Sequence, residues 1–206
     1  MPELPVTSAL HHRLGRQGTL GLTVAMREIG ERGMIDLRGL TSDRKFLPAV
    51  KGVLGFDLPR KPRTSAGEAE VMALWLSVDQ WLLTAPREGT RGLAAALAEA
   101  LGGIHSLVVD MSDARTIIRL EGPDARSVLA KGTSADLAGP DFSQGSVRRL
   151  RFAEIAAMAH MVGSSPDVID LYVFRSYADH AWEYLLATAR DGSRLTLFGP
   201  QATPQT

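Results

Sequence analysis

Apolar and polar residues alternate along many short stretches of this sequence, as they do in strands that bury one face. The first two stretches are residues 22–29 and 34–38, and the Gly-Glu-Arg-Gly segment between them is predicted to be a hairpin loop. Further strands are predicted at residues 71–77, 81–84, 106–110, 114–120, 147–151, 155–162 and 168–174. In the last strand, Ile169, Leu171 and Val173 share one face.

Helical spacing separates these strands. Apolar residues recur at intervals of three and four over residues 93–101 and 178–189, which predicts two amphipathic helices. Two shorter helices are predicted at residues 46–54 and 123–130, each with a proline near its first turn, where a proline is tolerated.

The order β-β-α-β-β-α therefore occurs twice, over residues 21–104 and 105–192, and an Asp-Leu pair recurs at an interval of roughly 80 residues. An arm at residues 1–20 precedes the first half, and a tail at residues 193–206 follows the second. Alternating strands between helices predict an α+β fold, in which helices cover one face of mostly antiparallel sheets.

The composition excludes several classes of function. Lys plus Arg and Asp plus Glu both total 23 among 206 residues, so no basic field attracts nucleic acid. The absence of cysteine excludes a disulfide framework, thiol catalysis and thiolate metal sites. Neither a signal-peptide pattern nor an apolar run of the ~20 residues that span a bilayer is present. We expect a cytoplasmic protein that binds neither nucleic acid nor membrane.

The motifs of nucleotide binding and hydrolysis are missing, namely Gly-x-Gly-x-x-Gly, Gly-x-x-x-x-Gly-Lys-Ser/Thr and Gly-x-Ser-x-Gly. His11 and His12 could form a metal pair, but adjacent residues on an extended arm point apart. Asp110 and Asp113 could present two carboxylates, although Asp and Ser also favour turns there.

His180 could be a base tuned by Asp179 and Glu183, but helical spacing places all three residues near a solvated face. The sequence therefore predicts no catalytic, cofactor-binding or metal-binding residue in this chain.

Three segments instead offer surface for contacts. The basic strip at residues 148–151 could touch phosphate, but an ion-paired sheet edge or a protein interface fits it better, because no aromatic residues are interleaved with it. The arm has apolar anchors at Leu4, Leu10 and Leu14 and needs a surface to lie on. The turn-rich connection at residues 59–67 carries no core positions.

Five stretches follow one another in a specific order along residues 50–190. They are Leu-Gly-Phe-Asp-Leu-Pro at 54–59, Trp-Leu-Ser-Val-Asp-Gln-Trp-Leu-Leu at 75–83, Asp-Met-Ser-Asp-Ala-Arg-Thr at 110–116, Leu-Glu-Gly-Pro at 120–123 with Val-Leu-Ala-Lys-Gly at 128–132 and Asp-Leu at 136–137, and Phe-Arg-Ser-Tyr-Ala at 174–178 with Trp182 and Leu185. In this order they resemble the sarcosine oxidase gamma subunit family. Ser77-Val78 replaces Gly-Pro in the second motif, and Thr133 stands where many relatives have Cys.

The resemblance implies a role in a heterotetramer of alpha, beta, gamma and delta subunits. Such complexes demethylate sarcosine oxidatively to glycine, pass the one-carbon unit to tetrahydrofolate and release hydrogen peroxide. FAD, FMN and NAD belong to the alpha and beta subunits and zinc to the delta subunit, and no catalytic residue is assigned to gamma. The fold implied is similar to the N-terminal part of folate-dependent aminomethyltransferases.

Two hypotheses follow from this resemblance. The favoured one is a non-catalytic gamma subunit, with Trp75, Trp81 and Trp182 as core residues or interface anchors. The alternative is a free-standing folate-binding protein like the aminomethyltransferases, with a carboxylate in a pocket between the halves, and Asp110 or Asp113 would be the first candidates.

Overall fold

A computed structural model describes residues 7–13, 23–68 and 70–190 of the chain. The strands of this part are β1 (Ala25–Glu28), β2 (Arg32–Gly39), β3 (Ser65–Glu68), β4 (Val71–Ser77), β5 (Gln80–Pro86), β6 (Ser106–Asp110), β7 (Arg115–Glu121), β8 (Val147–Phe152), β9 (Ile155–Ser164) and β10 (Asp167–Phe174). The helices are α1 (Phe46–Leu54), α2 (Arg87–Ala100), α3 (Ala125–Ala130) and α4 (Ala178–Thr188), and short 3₁₀ helices span His11–Arg13 and Arg175–Tyr177.

The strands form two antiparallel sheets of five strands each. Sheet I has the order β3-β4-β5-β2-β6, and sheet II has the order β8-β9-β10-β7-β1. One face of sheet I packs on α1 and α2, and one face of sheet II packs on α3 and α4. The predicted α+β class, with helices covering one face of antiparallel sheets, is confirmed.

The other faces of the two sheets pack on each other. Side chains from both sheets share a buried cluster that consists of Met34, Leu74, Leu82, Ile117, Val147, Met158 and Tyr172. The molecule therefore has four layers, in the order helices, sheet I, sheet II, helices. None of the helices described is long and apolar enough to cross a membrane.

The two sheets have equivalent strand orders, because each half of the described chain runs β-β-α-β-β-β-α. The first strand of each half crosses to the other sheet. Ala25 of β1 pairs with Glu121 of β7 in sheet II, and Gly39 of β2 pairs with Ser106 of β6 in sheet I. A division of the sequence at residue 104 therefore does not separate the two sheets.

The predicted hairpin between the first two strands is wrong. β1 and β2 are consecutive in sequence but lie in different sheets, where β1 pairs with β7 and β2 pairs with β5 and β6. Alternation specifies that a stretch is extended with one buried face, and it carries no information about which distant strand completes its hydrogen bonds. The connection at residues 59–67 also contains the start of β3, whose Ser-Ala-Gly-Glu sequence lacks alternation and depends on pairing with β4.

The outer edges of the two sheets are joined on one side. Ser65 N donates to Gly145 O at 2.8 Å, and Val147 N donates to Arg63 O at 2.8 Å, so the start of β3 pairs with the start of β8. These bonds fix the distance between the sheets next to the space that they enclose.

The described part of the arm lies on sheet II of the same chain. Leu10 is 1% exposed and belongs to the core of this sheet, and its backbone N–H donates to the Glu28 carboxylate at 3.1 Å. Arg175 donates to the carbonyl of Thr7. The surface that the arm was predicted to need is therefore supplied here by its own chain, while the anchors Leu4 and Leu14 and the predicted tail at 193–206 lie outside the described residues.

Candidate functional site

The two adjacent histidines are engaged separately. His11 Nδ1 lies 2.9 Å from Ser8 O, whereas His12 Nε2 lies 2.9 Å from Asp179 Oδ1 at the start of α4. Arg13 binds the same Asp179 oxygen at 2.7 Å, and its guanidinium lowers the pKa of this carboxyl group. Among the described residues, no group of three or more His, Cys, Asp or Glu side chains could hold a metal ion.

The two candidate carboxylates also have separate partners. Asp110 Oδ1 accepts hydrogen bonds from the backbone N–H of Ser112 at 2.9 Å and from its hydroxyl, which is the local turn that the sequence allowed. Asp113 is exposed and borders a cavity that the arm residues 7–9 also line, and its Oδ1 accepts a hydrogen bond from Arg87 Nη2 at 2.8 Å. The structure does not bring the two carboxylates together as a catalytic pair.

His180 is oriented by a backbone carbonyl and not by its acidic neighbours. Its Nε2 lies 2.7 Å from Ala153 O, so this nitrogen donates to the carbonyl. Asp179 and Glu183 both bind Arg13 of the arm. The three residues therefore fasten α4 to other segments and do not form a tuned base.

The basic strip lies on β8, which is an edge strand as predicted. Arg151 pairs with Glu154 in the turn to β9, and Arg149 contacts the carbonyl of Leu76 at 3.4 Å in sheet I. Arg148 lies over the Phe142 ring, with its guanidinium carbon 5.7 Å from the ring centroid.

The three tryptophans divide between the core and a cleft. Trp81 is fully buried and donates from Nε1 to Pro59 O at 2.8 Å, and Trp182 is buried in the core of sheet II. Trp75 is half-buried and borders a cleft next to Arg63 and Arg148. The core role is thus confirmed for two of the three.

The sequence interpretation missed a polar row that runs from the exposed Arg27 on the edge strand β1 into the interior of the molecule. Strand register places Arg27, Arg119, Asp170 and His160 side by side across β1, β7, β10 and β9, on the face that looks toward sheet I. One signal was present in the sequence. Because Ile169, Leu171 and Val173 occupy the face of β10 toward the helices, the intervening Asp170 had to face the other sheet.

Asp170 provides the carboxylate of this row and is buried, with 5% of the residue exposed. Arg119 donates two hydrogen bonds to it, from Nε to Oδ1 at 2.6 Å and from Nη2 to Oδ2 at 2.8 Å. These bonds raise the pKa of the Arg119 guanidinium above its ordinary value. Both carboxylate oxygens are therefore committed to one arginine.

His160 lies next to Asp170 in the register and is equally buried. Its Nε2 lies 2.9 Å from Ser65 Oγ, which in turn lies 3.0 Å from Gly145 O. Burial lowers the pKa of His160 to about 4, so the ring is neutral at pH 7.

The contiguity of Ser65, His160 and Asp170 does not create a hydrolytic triad. A triad needs the carboxylate to accept a hydrogen bond from the second ring nitrogen, and here Ser65 is the one hydrogen-bond partner of the His160 ring in the described chain. A histidine with a pKa of about 4 is also too weak a base to activate a hydroxyl near pH 7.

These residues line a cavity of about 620 Å³ between the two sheets. Arg27 and Arg32 also border it, and Arg32 Nη2 donates to the Glu70 carbonyl and to Thr84 Oγ1 at 3.3 Å. Tyr172 lies in the same wall, and its burial raises the pKa of the phenol above its ordinary value. The cavity thus combines three arginines, the buried carboxylate of Asp170, the exposed Glu70 and neutral hydrogen-bonding groups.

Comparison with known proteins identifies relatives over most of the chain. The model of a family described as "Sarcosine oxidase, gamma subunit family" matches residues 38–191. The sarcosine oxidase subunit gamma of Arthrobacter sp is 33% identical over 171 residues, which cover 82% of each chain. The corresponding subunit of Corynebacterium sp. (strain P-1) is 38% identical over 122 residues, which cover 59% of each chain.

Solved structures share the fold. A chain of the heterotetrameric sarcosine oxidase from Corynebacterium sp. U-96 matches with a TM-score of 0.83 and 24% identity, over 94% of this chain and 99% of that one. Aminomethyltransferase T of the glycine cleavage system from Bartonella henselae matches with a TM-score of 0.61 and 19% identity, over 78% of this chain and 45% of that one. By its sequence, the chain belongs to the sarcosine oxidase gamma subunit family.

Proposed function

We propose that this chain is the non-catalytic gamma subunit of a heterotetrameric sarcosine oxidase and supports the assembly of that complex. The observation that carries the proposal is the 33% identity to the Arthrobacter subunit gamma, which extends over 82% of both chains. The partners would be the alpha, beta and delta subunits, in the cytoplasm, and neither nucleic acid nor a membrane is involved.

The complex would demethylate sarcosine oxidatively to glycine, transfer the one-carbon unit to tetrahydrofolate and produce hydrogen peroxide. FAD, FMN, NAD and zinc would be bound by the other subunits. The side chains of this chain support a non-catalytic role, since the carboxylates that could act as acids or bases are held by arginines or by turns. Asp113 binds Arg87, and Asp170 binds Arg119.

Co-expression tests this role directly. The alpha, beta and delta subunits would be produced with and without this chain, and the products compared by size-exclusion chromatography and by sarcosine-dependent release of hydrogen peroxide. We expect omission of the chain to abolish the full-sized complex and to reduce its yield of active enzyme. A three-chain complex that assembled and turned over like the full one would contradict the proposal.

The alternative function is a free-standing folate-binding protein, and the presence of Asp170 in the cavity between the sheets is the observation that favours it. The same observation also limits it, because both oxygens of this carboxylate bind Arg119. Calorimetric titration of the isolated chain with tetrahydrofolate separates the two functions. Micromolar binding would support the alternative, and no binding would support the structural subunit.

A further inference from the structure

The internal repeat allows each half of the molecule to serve as a control for the other. Met34 of β2 and Ile117 of β7 hold equivalent places in the two sheets and meet in the shared cluster. Two residues beyond Met34 on β2 and beyond Ile117 on β7, the strand register defines one row of residues across each sheet, and the two rows are equivalent. The row in sheet I is Val109–Asp36–Leu82–Leu74, and the row in sheet II is Arg27–Arg119–Asp170–His160.

The two rows differ in chemistry at equivalent places. Leu82 and Leu74 fill the space between the sheets in the first row and belong to the shared apolar cluster. Asp170 and His160 take their places in the second row, where they line the cavity. The fold itself is therefore compatible with leucine at both positions.

Burying these polar groups is costly, and the leucines at the equivalent places of sheet I avoid that cost. Taking an ion pair such as Arg119–Asp170 out of water costs several kcal/mol per ion, and apolar residues of similar volume are often at least as stabilising. Burial of His160 is also unfavourable for its charged form, and this lowers the pKa of the ring. A polar row at a place where the other half has leucines points to a ligand.

The charge around the cavity specifies the class of ligand. Asp170 neutralises Arg119, but Arg27 and Arg32 form no ion pair with any described carboxylate. Arg27 also lies directly beside Arg119 in the register of β1 and β7, and like charges in such a pair repel each other. An anion next to Arg27 would offset that repulsion.

The shape and lining of the cavity narrow the class further. Arg32 Nη2 already donates to the Glu70 carbonyl and to the Thr84 hydroxyl, so its Nε and Nη1 groups, together with the guanidinium of Arg27, are the donors left for the oxygens of a carboxylate. Met72, Ile117 and Met161 add apolar surface, which favours a ligand with an apolar body. We infer that the cavity between the sheets binds a small organic carboxylate, whose charged group is held by Arg27 and Arg32.

Titration of the purified full chain tests the site, with benzoate as the probe. Benzamide has the same shape without the charge, and inorganic phosphate has the charge without the apolar body. We expect benzoate to raise the midpoint of thermal unfolding and to bind in calorimetry, and benzamide and phosphate to bind at least tenfold more weakly. Equal binding of benzamide or of phosphate would overturn the inference.

Two variants with the same net charge identify the residues. The double variant Arg27→Gln/Arg32→Gln should lose at least tenfold in affinity for benzoate, whereas Arg44→Gln/Arg91→Gln, at exposed positions away from the cavity, should keep it. Arg32→Lys, which retains the charge without the fork, should bind with intermediate affinity, and it tests the inference if the double variant fails to fold. Unchanged affinity in both cavity variants would overturn the proposed site.

Discussion

Arg119 and Asp170 stand opposite each other on β7 and β10 and are joined by two hydrogen bonds of 2.6 and 2.8 Å in the space between the sheets. The carboxylate is almost fully buried, and the guanidinium is about one quarter exposed, with a side-chain value of 23%. The pair is therefore a largely buried ion pair in the wall of the cavity.

Removing one member of this pair should cost much more than removing both. Asp170→Leu leaves a guanidinium without its partner, and we expect a loss of about 3 kcal/mol in the free energy of unfolding. The double variant Arg119→Leu/Asp170→Leu should lie within about 1 kcal/mol of the wild type, because apolar residues replace the pair. Urea unfolding measures both values, and equal losses in the two variants would contradict this account.

His160 should make the stability depend on pH between about 4 and 6.5. Its folded pKa of about 4 lies below the ordinary value of 6.5, so in this window the unfolded chain takes up a proton and the folded chain does not. Stability is therefore retained above pH 6.5 and falls by up to about 3 kcal/mol as the pH drops to 4. His160→Leu, which copies Leu74 of the other half, should reduce this slope when chemical unfolding is measured across the window. An unchanged slope would show that His160 titrates normally in the fold.

The arm should stabilise the chain through its apolar anchor more than through its charges. Leu10→Ala opens a cavity in the core of sheet II, and we expect a loss of about 2–5 kcal/mol in the free energy of unfolding. Arg13→Ala removes exposed ion pairs with Asp179 and Glu183, and the loss should stay below about 1 kcal/mol and shrink with added salt. Thermal unfolding at two salt concentrations distinguishes these effects, and a larger loss for Arg13→Ala would reverse the assignment.

Two glycines should respond to alanine with opposite signs. A Cβ atom at Gly39 would lie 2.1 Å from Cε2 of the buried Phe46 ring, so Gly39→Ala must displace α1 and lower stability. A Cβ atom at Gly92 on α2 would meet no atom within 4 Å, so Gly92→Ala should raise stability by roughly 0.5–1 kcal/mol through helix propensity. Unfolding midpoints of the two variants check both signs, and stabilisation by Gly39→Ala would contradict the close contact.

Much of the architecture could be predicted because it depends on local pattern. The alternation in residues 168–174 and the helical stripe in 178–189 correspond to β10 and α4, because the spacing of apolar residues marks the face of each element that joins the core between sheet II and its helices. Strand pairing could not be predicted in the same way. β1 shows the same alternation whether it pairs with β2 or with β7, and long-range packing decides between them.

The candidate site shows the same division. Sequence reasoning judged Asp110, His12 and His180 by their neighbours along the chain, and the structure places each of them in a local or surface contact. The cavity residues come from strands far apart in sequence, so no motif or spacing joined Arg119 with His160.

By itself, the sequence determined the α+β class and membership of the gamma subunit family, because periodicity and short motifs can be recognised without the fold. It also indicated a repeated order of strands and helices, but the predicted β-β-α-β-β-α lacks one of the three strands that stand between the helices of each half. The tertiary structure decided that the first strands exchange between the sheets and that Asp170 faces Arg119 and not solvent. The physical reason is that the energy and the role of a buried charge depend on the groups that surround it. Those groups come together only after the two sheets have packed against each other.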